Sequence, residues 1–316
     1  MTAAYINELS YSLGDLNYSL EESSAQGRLL SSIQALKDSG FRNHRICSME
    51  KSAYDLAHEC VGKLQQNLSE IGAILYATCL PYNANMGSVE KFHETRDVKH
   101  LMDYPGSHLQ SDFGMDKATV FGINQQACTS LLGSLRFAKM LLSDDETIDS
   151  VLCLTADRFP HGACYEQSYN LISDGAAAAI VSREANGFKI IAAHGITNGG
   201  LAQANDEEAA GTYFVYSHRL IQETLSKAKL TLDQITWIVP QNMNIKAWQI
   251  LSRLLRFSEE KIYAPSRPEV GHVISGDNII NLDRLAKDNV LKSGDLILLI
   301  MAGYGMNWQC TIVEKC

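Results

Sequence analysis

The chain has no run of apolar residues approaching the roughly 20 needed to cross a bilayer. Its longest, such as Leu296 to Ala302, are of strand length, so a transmembrane segment is not expected. No cationic stretch followed by an apolar one opens the sequence, and none of its 8 cysteines is spaced Cys-x-x-Cys. That pattern points to a reducing cytoplasm and excludes a structural zinc framework. A basic field is also missing: 27 Lys and Arg against 36 Asp and Glu leave a formal charge of −9. General nucleic-acid binding is therefore not expected, because polyanion binding needs the positive field this composition lacks.

What is present is a 316-residue chain that is 46% hydrophobic, enough for a large core and two domains or fused halves. Apolar alternation and β-rich runs predict strands near Ala73 to Thr78, Thr119 to Ile123, Val151 to Thr155, Ala176 to Val181 and Lys189 to His194. Helical spacing predicts Ser130 to Leu142. Past a compositional break at Arg183 to Gly187 the theme returns, with helices at Tyr213 to Ala228, Ile245 to Leu255 and Asp277 to Asn289 and strands at Trp237 to Pro240 and Asp295 to Met301. The chain reads as an α/β duplication, with halves 1–183 and 184–316.

Cys128 falls where the strand of Ala118 to Ile123 gives way to the helix beginning at Ser130. Unpaired N–H groups at a helix start carry partial positive charge, which stabilises a thiolate and can receive an oxyanion. An isolated cysteine is more often a small core side chain. The second half offers a counterpart at Gly271-His272, also ahead of a helix. If the halves pack about a pseudo-twofold axis, Cys128 and His272 occupy related positions and face each other at the junction, a common place for an active site.

Taken in order, these segments resemble the ketoacyl synthase III branch of the thiolase-fold condensing enzymes across nearly the whole chain. Ser39-Gly40-Phe41-Arg42 is similar to that family's Thr-Gly-Ile-Arg, and Gln126-Ala127-Cys128-Thr129-Ser130 to its Ala-Ala-Cys-x-Gly nucleophile segment. Ser173-Asp174-Gly175-Ala176-Ala177-Ala178-Ala179 is similar to its Gly-Asp-Gly-Ala-Gly-Ala-Ala. The resemblance implies a thiolase-like αβαβα layered fold of two similar halves, a homodimer, and a cysteine acylated from a coenzyme A or acyl-carrier-protein thioester. No resident cofactor is implied. It also assigns Met301-Ala302-Gly303-Tyr304-Gly305-Met306 to the family's glycine-rich loop, whose backbone N–H at Tyr304, between Gly303 and Gly305, forms an oxyanion hole with that of Cys128. Two glycines there would equally suit a tight turn.

Two departures bear on the chemistry. The family's Val-Pro-His-Gln-Ala-Asn is Val239-Pro240-Gln241-Asn242-Met243-Asn244 here, and its Gly-Asn-Thr-Ser is Gly271-His272-Val273-Ile274. Gln241 can donate a hydrogen bond but cannot act as a base or carry charge, which places standard decarboxylative elongation in question. One imidazole beside a cysteine still suffices for acyl transfer, so Cys128 and His272 are expected to form a dyad. Asp277 either orients His272 or caps the following helix, and Gln241, Asn242 and Asn244 support the site. The Gly-His-x-x-x-x-Asp order resembles variant acyltransferases of specialised metabolism, which implies transfer to a hydroxyl, amine or carbon nucleophile of a small acceptor. Two alternatives stand beside it: a 3-oxoacyl synthase in which His272 and Gln241 or Asn242 hold a malonyl extender, and a weakly active partner subunit of a heteromeric synthase.

On the resemblance, Asp38 stands where the family has an adenine-contacting arginine, and Lys246, Arg253 and Arg256 lie on its carrier-protein docking face. Both favour a carrier-protein donor, although those three cations also suit a solvated helix face. The segment Pro81 to Gln110, with Tyr82, Phe92, His93, His100 and Tyr104, is expected at the acyl pocket and dimer contact. No histidine pair there has a metal-binding spacing.

Overall fold

The computed structural model describes residues 3–168, 170–201, 206–304 and 306–316, the side chains of residues 206–210 apart. Nine strands form its principal sheet: β1 Tyr5–Leu13, β2 Ala73–Ala77, β3 Thr119–Ile123, β4 Ser150–Asp157, β5 Gly175–Ser182, β6 Phe188–Thr197, β7 Trp237–Pro240, β8 Leu296–Gly303 and β9 Asn307–Lys315. Their spatial order is β7-β8-β9-β6-β1-β5-β4-β2-β3. The first five strands thus lie in the order 3-2-4-5-1. The last four repeat that order without its third member, whose place beside β7 is taken by a single parallel bridge from Ile262 to Ile238. Two pairs, Tyr5 with Lys189 and Ile6 with Phe188, are the seam where β1 meets β6. The β5–β6 link crosses from one half to the other at residues 183–187.

Side-chain parity explains the layers. In β2, Ala73 and Leu75 face one core while Ile74 and Tyr76 face another, as period-2 geometry requires. The first core also takes Val239, Ile297 and Leu299, whereas Ile238, Leu298 and Ile300 enter a third. The shared core is filled by Leu131, Leu132, Leu135 and Ala138 of α3 (Ser130–Asp144) and by Ile279, Leu282 and Leu285 of α6 (Asp277–Lys287). Outside it, α1 (Ala53–Gly62) and α2 (Pro105–Asp112) cover the first half, while α4 (Asp206–Ala228) and α5 (Ile245–Leu255) cover the second. Both faces of each half-sheet are buried, which gives the layers αβαβα. This is the α/β layered fold of two similar halves that the sequence predicts.

The repeat corrects one expectation. Ala127 has φ of 46° and opens the 3-10 turn Ala127–Thr129 into α3; Ile274 has φ of 47° and opens the turn Ile274–Gly276 into α6. Cys128 therefore corresponds to Ser275, and His272 lies three residues earlier, on the approach to the turn. A non-glycine residue at positive φ is strained, the β-branched Ile274 more than Ala127, and both elbows carry that strain beside the residues of interest. They are tied together: Ser275 Oγ lies 2.9 Å from Ser130 Oγ and donates to Ala127 O at 3.2 Å.

Candidate active site

Cys128 sits at the C-terminal end of the parallel strands, at the start of the buried helix α3, and is 8% exposed. Its sulfur lies close enough to the imidazole of His272 for each group to shift the other's protonation. His272 is held in turn from the first half: its N–H donates to Leu171 O at 2.7 Å and its carbonyl accepts from Ser173 N at 2.9 Å. Gly271, at φ of 60°, permits this approach; a Cβ there would stand 2.6 Å from Leu171 O. Behind the ring, His272 Nδ1 lies 2.5 Å from Asp277 Oδ2. The same carboxylate accepts from Asn242 N at 2.6 Å and Val273 N at 2.7 Å, and it is fully buried. None of these bonds caps α6, whose N-cap is Gly276 with no side-chain cap. Of the two roles open to Asp277, it takes the orienting one.

These contacts set the charge state. Burial opposes an imidazolium at His272, but the Asp277 carboxylate and the Cys128 sulfur together outweigh it and raise the ring to about 10. The Cys128 thiol moves the other way, below the ordinary thiol range. The largest cause is the contact with Cys79, whose sulfur is 3.7 Å away, followed against burial by the neighbouring His272. Both shifts run in the direction that favours a thiolate–imidazolium pair.

The other predicted residues divide into those that reach this centre and those that do not. Gln241 is buried, and its Oε1 accepts from Ala302 N at 2.6 Å, which leaves its NH2 as the donor. Asn242 spends its side chain on the framework, donating to Ser266 Oγ and Gly271 O, both at 2.8 Å, and accepting from Asn281 at 2.9 Å. Its support for the site runs through its backbone N–H on Asp277. Asn244 caps α5, accepting from Lys246 N at 3.0 Å. Gly303 lies against the nucleophile: a Cβ there would stand 2.8 Å from Cys128 N. Tyr304 is 57% exposed, and Gly305 lies outside the described residues.

Lys246, Arg253 and Arg256 are all exposed, the first two on α5 and Arg256 at its left-handed C-cap, φ 54°. Asp38 is exposed at the end of a short helix and accepts from Gln34 at 2.8 Å. A groove of about 280 Å³ beside α5 is lined by residues such as Trp248, Tyr263 and Arg267 and by none of Cys128, His272 and Asp277. In the 81–110 segment, Tyr82 and Tyr104 are 73% and 52% exposed, so in a single chain they form surface rather than a pocket. Among the described residues, no group of three or more His, Cys, Asp or Glu is placed to hold a metal ion.

Sequence reasoning missed Cys79 and its support, Asp157. Asp157 Oδ2 accepts from Cys79 N at 2.8 Å, and its Oδ1 accepts from Leu80 N and Asn83 Nδ2, both at 2.9 Å. Burial pushes this carboxylate up to about 7 despite those bonds. No sequence signal marks either residue: the parallel pairing of β2 and β3, which brings residues past their C-terminal ends to one edge, exists only in the fold.

Comparison with known proteins identifies the family. The family model for 3-oxoacyl-(acyl-carrier-protein) synthase III matches residues 121–199, and the model for the C terminal part of the same synthase matches residues 225–315, together more than half of the chain. The chain belongs to the ketoacyl synthase III-like family. A β-ketoacyl-(acyl-carrier-protein) synthase III of Wolbachia pipientis wMel is 23% identical over 302 residues, covering 86% of this chain and 94% of its own. The same-named protein of Aquifex aeolicus is 21% identical over 291 residues, covering 87% and 88%.

Among solved structures, ChlB3, described as an acyltransferase, superposes with a TM-score of 0.82 at 18% identity, covering 99% of this chain and 98% of its own. The synthase III of Thermus thermophilus superposes at 0.83 and 18%, covering 99% of both. At these identities the structural likeness establishes the thiolase fold. The family is one of condensing enzymes and acyltransferases, so this member of it is assigned to the ketosynthase III-like transferases. Among the described residues, no helix is long and apolar enough to cross a membrane.

Proposed function

We propose that the protein is an acyltransferase that forms an acyl-Cys128 thioester from an acyl-carrier-protein or acyl-coenzyme A donor and passes the acyl group to a second nucleophile. The observation that carries this reading is the buried His272–Asp277 pair beside the buried Cys128. In the first step the Cys128 thiolate attacks the donor carbonyl, the donor C–S bond breaks, and the leaving thiolate takes the proton of the His272 imidazolium. Acylation then removes the thiolate that helped hold that proton. The neutral ring next accepts a proton from the incoming hydroxyl, amine or carbon acid, which attacks the thioester and releases the Cys128 thiolate. Protons balance over the cycle, and the resting ion pair is restored. The Cys128 and Tyr304 N–H groups are assigned to the oxyanion at both stages.

The same site counts against decarboxylative elongation. Gln241 contributes one neutral donor, and Asn242 has no side-chain capacity left to share a malonyl carbonyl. With malonyl thioester and the acyl-enzyme, no coupled release of carbon dioxide and 3-oxo product is expected; stoichiometric formation of both would reverse the assignment. A carrier-protein donor is favoured by exposed Lys246, Arg253 and Arg256 and by Asp38, and a role in specialised metabolism by the Gln241 and His272 exchanges.

We also propose a homodimer. Strand β3 is an open edge, and Met86, Val89, Val98 and Met102, with Tyr82 and Tyr104, expose apolar surface in the segment that follows β2. Sedimentation at micromolar concentration should give twice the chain mass; a monomer there contradicts this.

A further inference from the structure

We propose that Cys79 is a second working thiol of the site: a protonated donor whose hydrogen bond to Cys128 Sγ stabilises that sulfur whenever it is a thiolate. The proposal rests on the reading of Cys128 as the nucleophile and extends it to a residue that no motif marked.

Three observations carry it. The two sulfurs are 3.7 Å apart, within hydrogen-bonding range for thiols. The direction of the bond follows from the surrounding charges. Cys128 faces the His272 imidazolium, which favours a negative sulfur, whereas the Asp157 carboxylate and the Cys128 charge both hold the Cys79 proton on its sulfur. Finally, Cys79 is fixed in place, because Asp157 binds its N–H and that of Leu80 together. The titratable groups facing this pair are His272, Asp277 and Asp157.

The consequence is greatest when the acyl group leaves. As the acceptor attacks, the acyl C–S bond breaks and Cys128 Sγ keeps the electron pair; Cys79 lowers the energy of that leaving thiolate without giving up its proton. A donor aimed at charge that reappears in the transition state acts on kcat more than on KM.

The test follows alkylation of the Cys128-bearing peptide by iodoacetamide across pH in the parent, Cys79→Ala, Cys79→Val and Cys79→Ser, with thermal unfolding of each. A hydrogen bond to a charged group is worth about one to two pH units of midpoint. Cys79→Ala and Cys79→Val should move the midpoint upward by that amount and lower kcat about tenfold at unchanged KM. Cys79→Ser, which keeps a donor, should restore most of both. Profiles and kcat of the Ala and Val variants that superimpose on the parent's overturn the proposal. If the parent shows an acyl adduct at Cys128 while those profiles coincide, the role of Cys79 alone fails. If the parent forms no adduct at Cys128, the underlying reading fails with it.

Discussion

His272→Ala is expected to lower turnover by about 10²- to 10⁴-fold, the usual worth of a positioned acid or base, while a residual acyl-enzyme still forms. The asymmetry between the two half-reactions follows from the contacts on Cys128. Its thiolate is supported by Cys79 as well as by His272, so loss of the imidazole weakens nucleophile formation without abolishing it. Deacylation has no such reserve. Gln241 cannot take a proton, Asn242 is engaged elsewhere, and Asp277 reaches the centre only through the ring. Rapid mixing with a thioester donor should therefore show a slowed burst followed by little steady-state release. Turnover within threefold of the parent would remove His272 from the mechanism.

Asp277→Ala is expected to cost about 3–5 kcal/mol of stability, the range for stripping one partner from a buried charged pair. The carboxylate is fully buried and accepts three hydrogen bonds, from His272, Asn242 and Val273. Alanine would leave a buried ring and two buried N–H groups without acceptors. Asp277→Asn separates charge from packing, since it keeps the shape but offers one acceptor oxygen and turns an NH2 toward a donor.

A pH dependence accompanies this change. The folded His272 is raised to about 10, so the stability its charge contributes is complete below the ordinary histidine value and is lost as pH rises through about 10. The stability gap between the parent and Asp277→Asn should accordingly narrow toward pH 10. Urea unfolding of the three proteins across pH provides the measurement. A gap under about 1 kcal/mol for Asp277→Ala, as for an exposed pair, would contradict the geometry.

Much of the fold was legible because its elements obey simple periodicities. Strands β3 and β7 and helix α5 run where alternation and helical spacing place them. The strands passed over, β1 and β9, carry polar residues on buried positions. Ser10 and Ser12 of β1 turn inward and satisfy Cys60 O and Leu56 O, and Asn307, Gln309 and Thr311 of β9 are buried likewise. Both do alternate, as Leu9-Ser10-Tyr11-Ser12-Leu13 and Trp308-Gln309-Cys310-Thr311-Ile312, so the period was present in the sequence; what alternation cannot reveal is that their polar face is buried as well.

The residues of the proposed site were legible for a different reason. Cys128 and His272 stand beside glycine and helix-start signals, and Asp277 follows at a spacing that returns its carboxylate to the ring. Cys79 gives no local sign. Its role depends on two parallel strands ending side by side and on a carboxylate 78 residues away in sequence, a long-range fact that no spacing encodes. The mismatch between the repeat and the chemistry has the same origin. Topology pairs Cys128 with Ser275, while His272 sits upstream, where the backbone is clamped by Leu171 and Ser173 of the other half.

The central claim is a covalent acyl-Cys128 intermediate, and intact-protein mass spectrometry addresses it most directly. The parent and Cys128→Ala are incubated with matched panels of acyl-coenzyme A and acyl-carrier-protein thioesters. A mass increase equal to one acyl group in the parent and absent in Cys128→Ala is the predicted result, with the more efficient donor class identifying the partner. Adducts of equal size on both proteins, or none with any donor, would contradict the account.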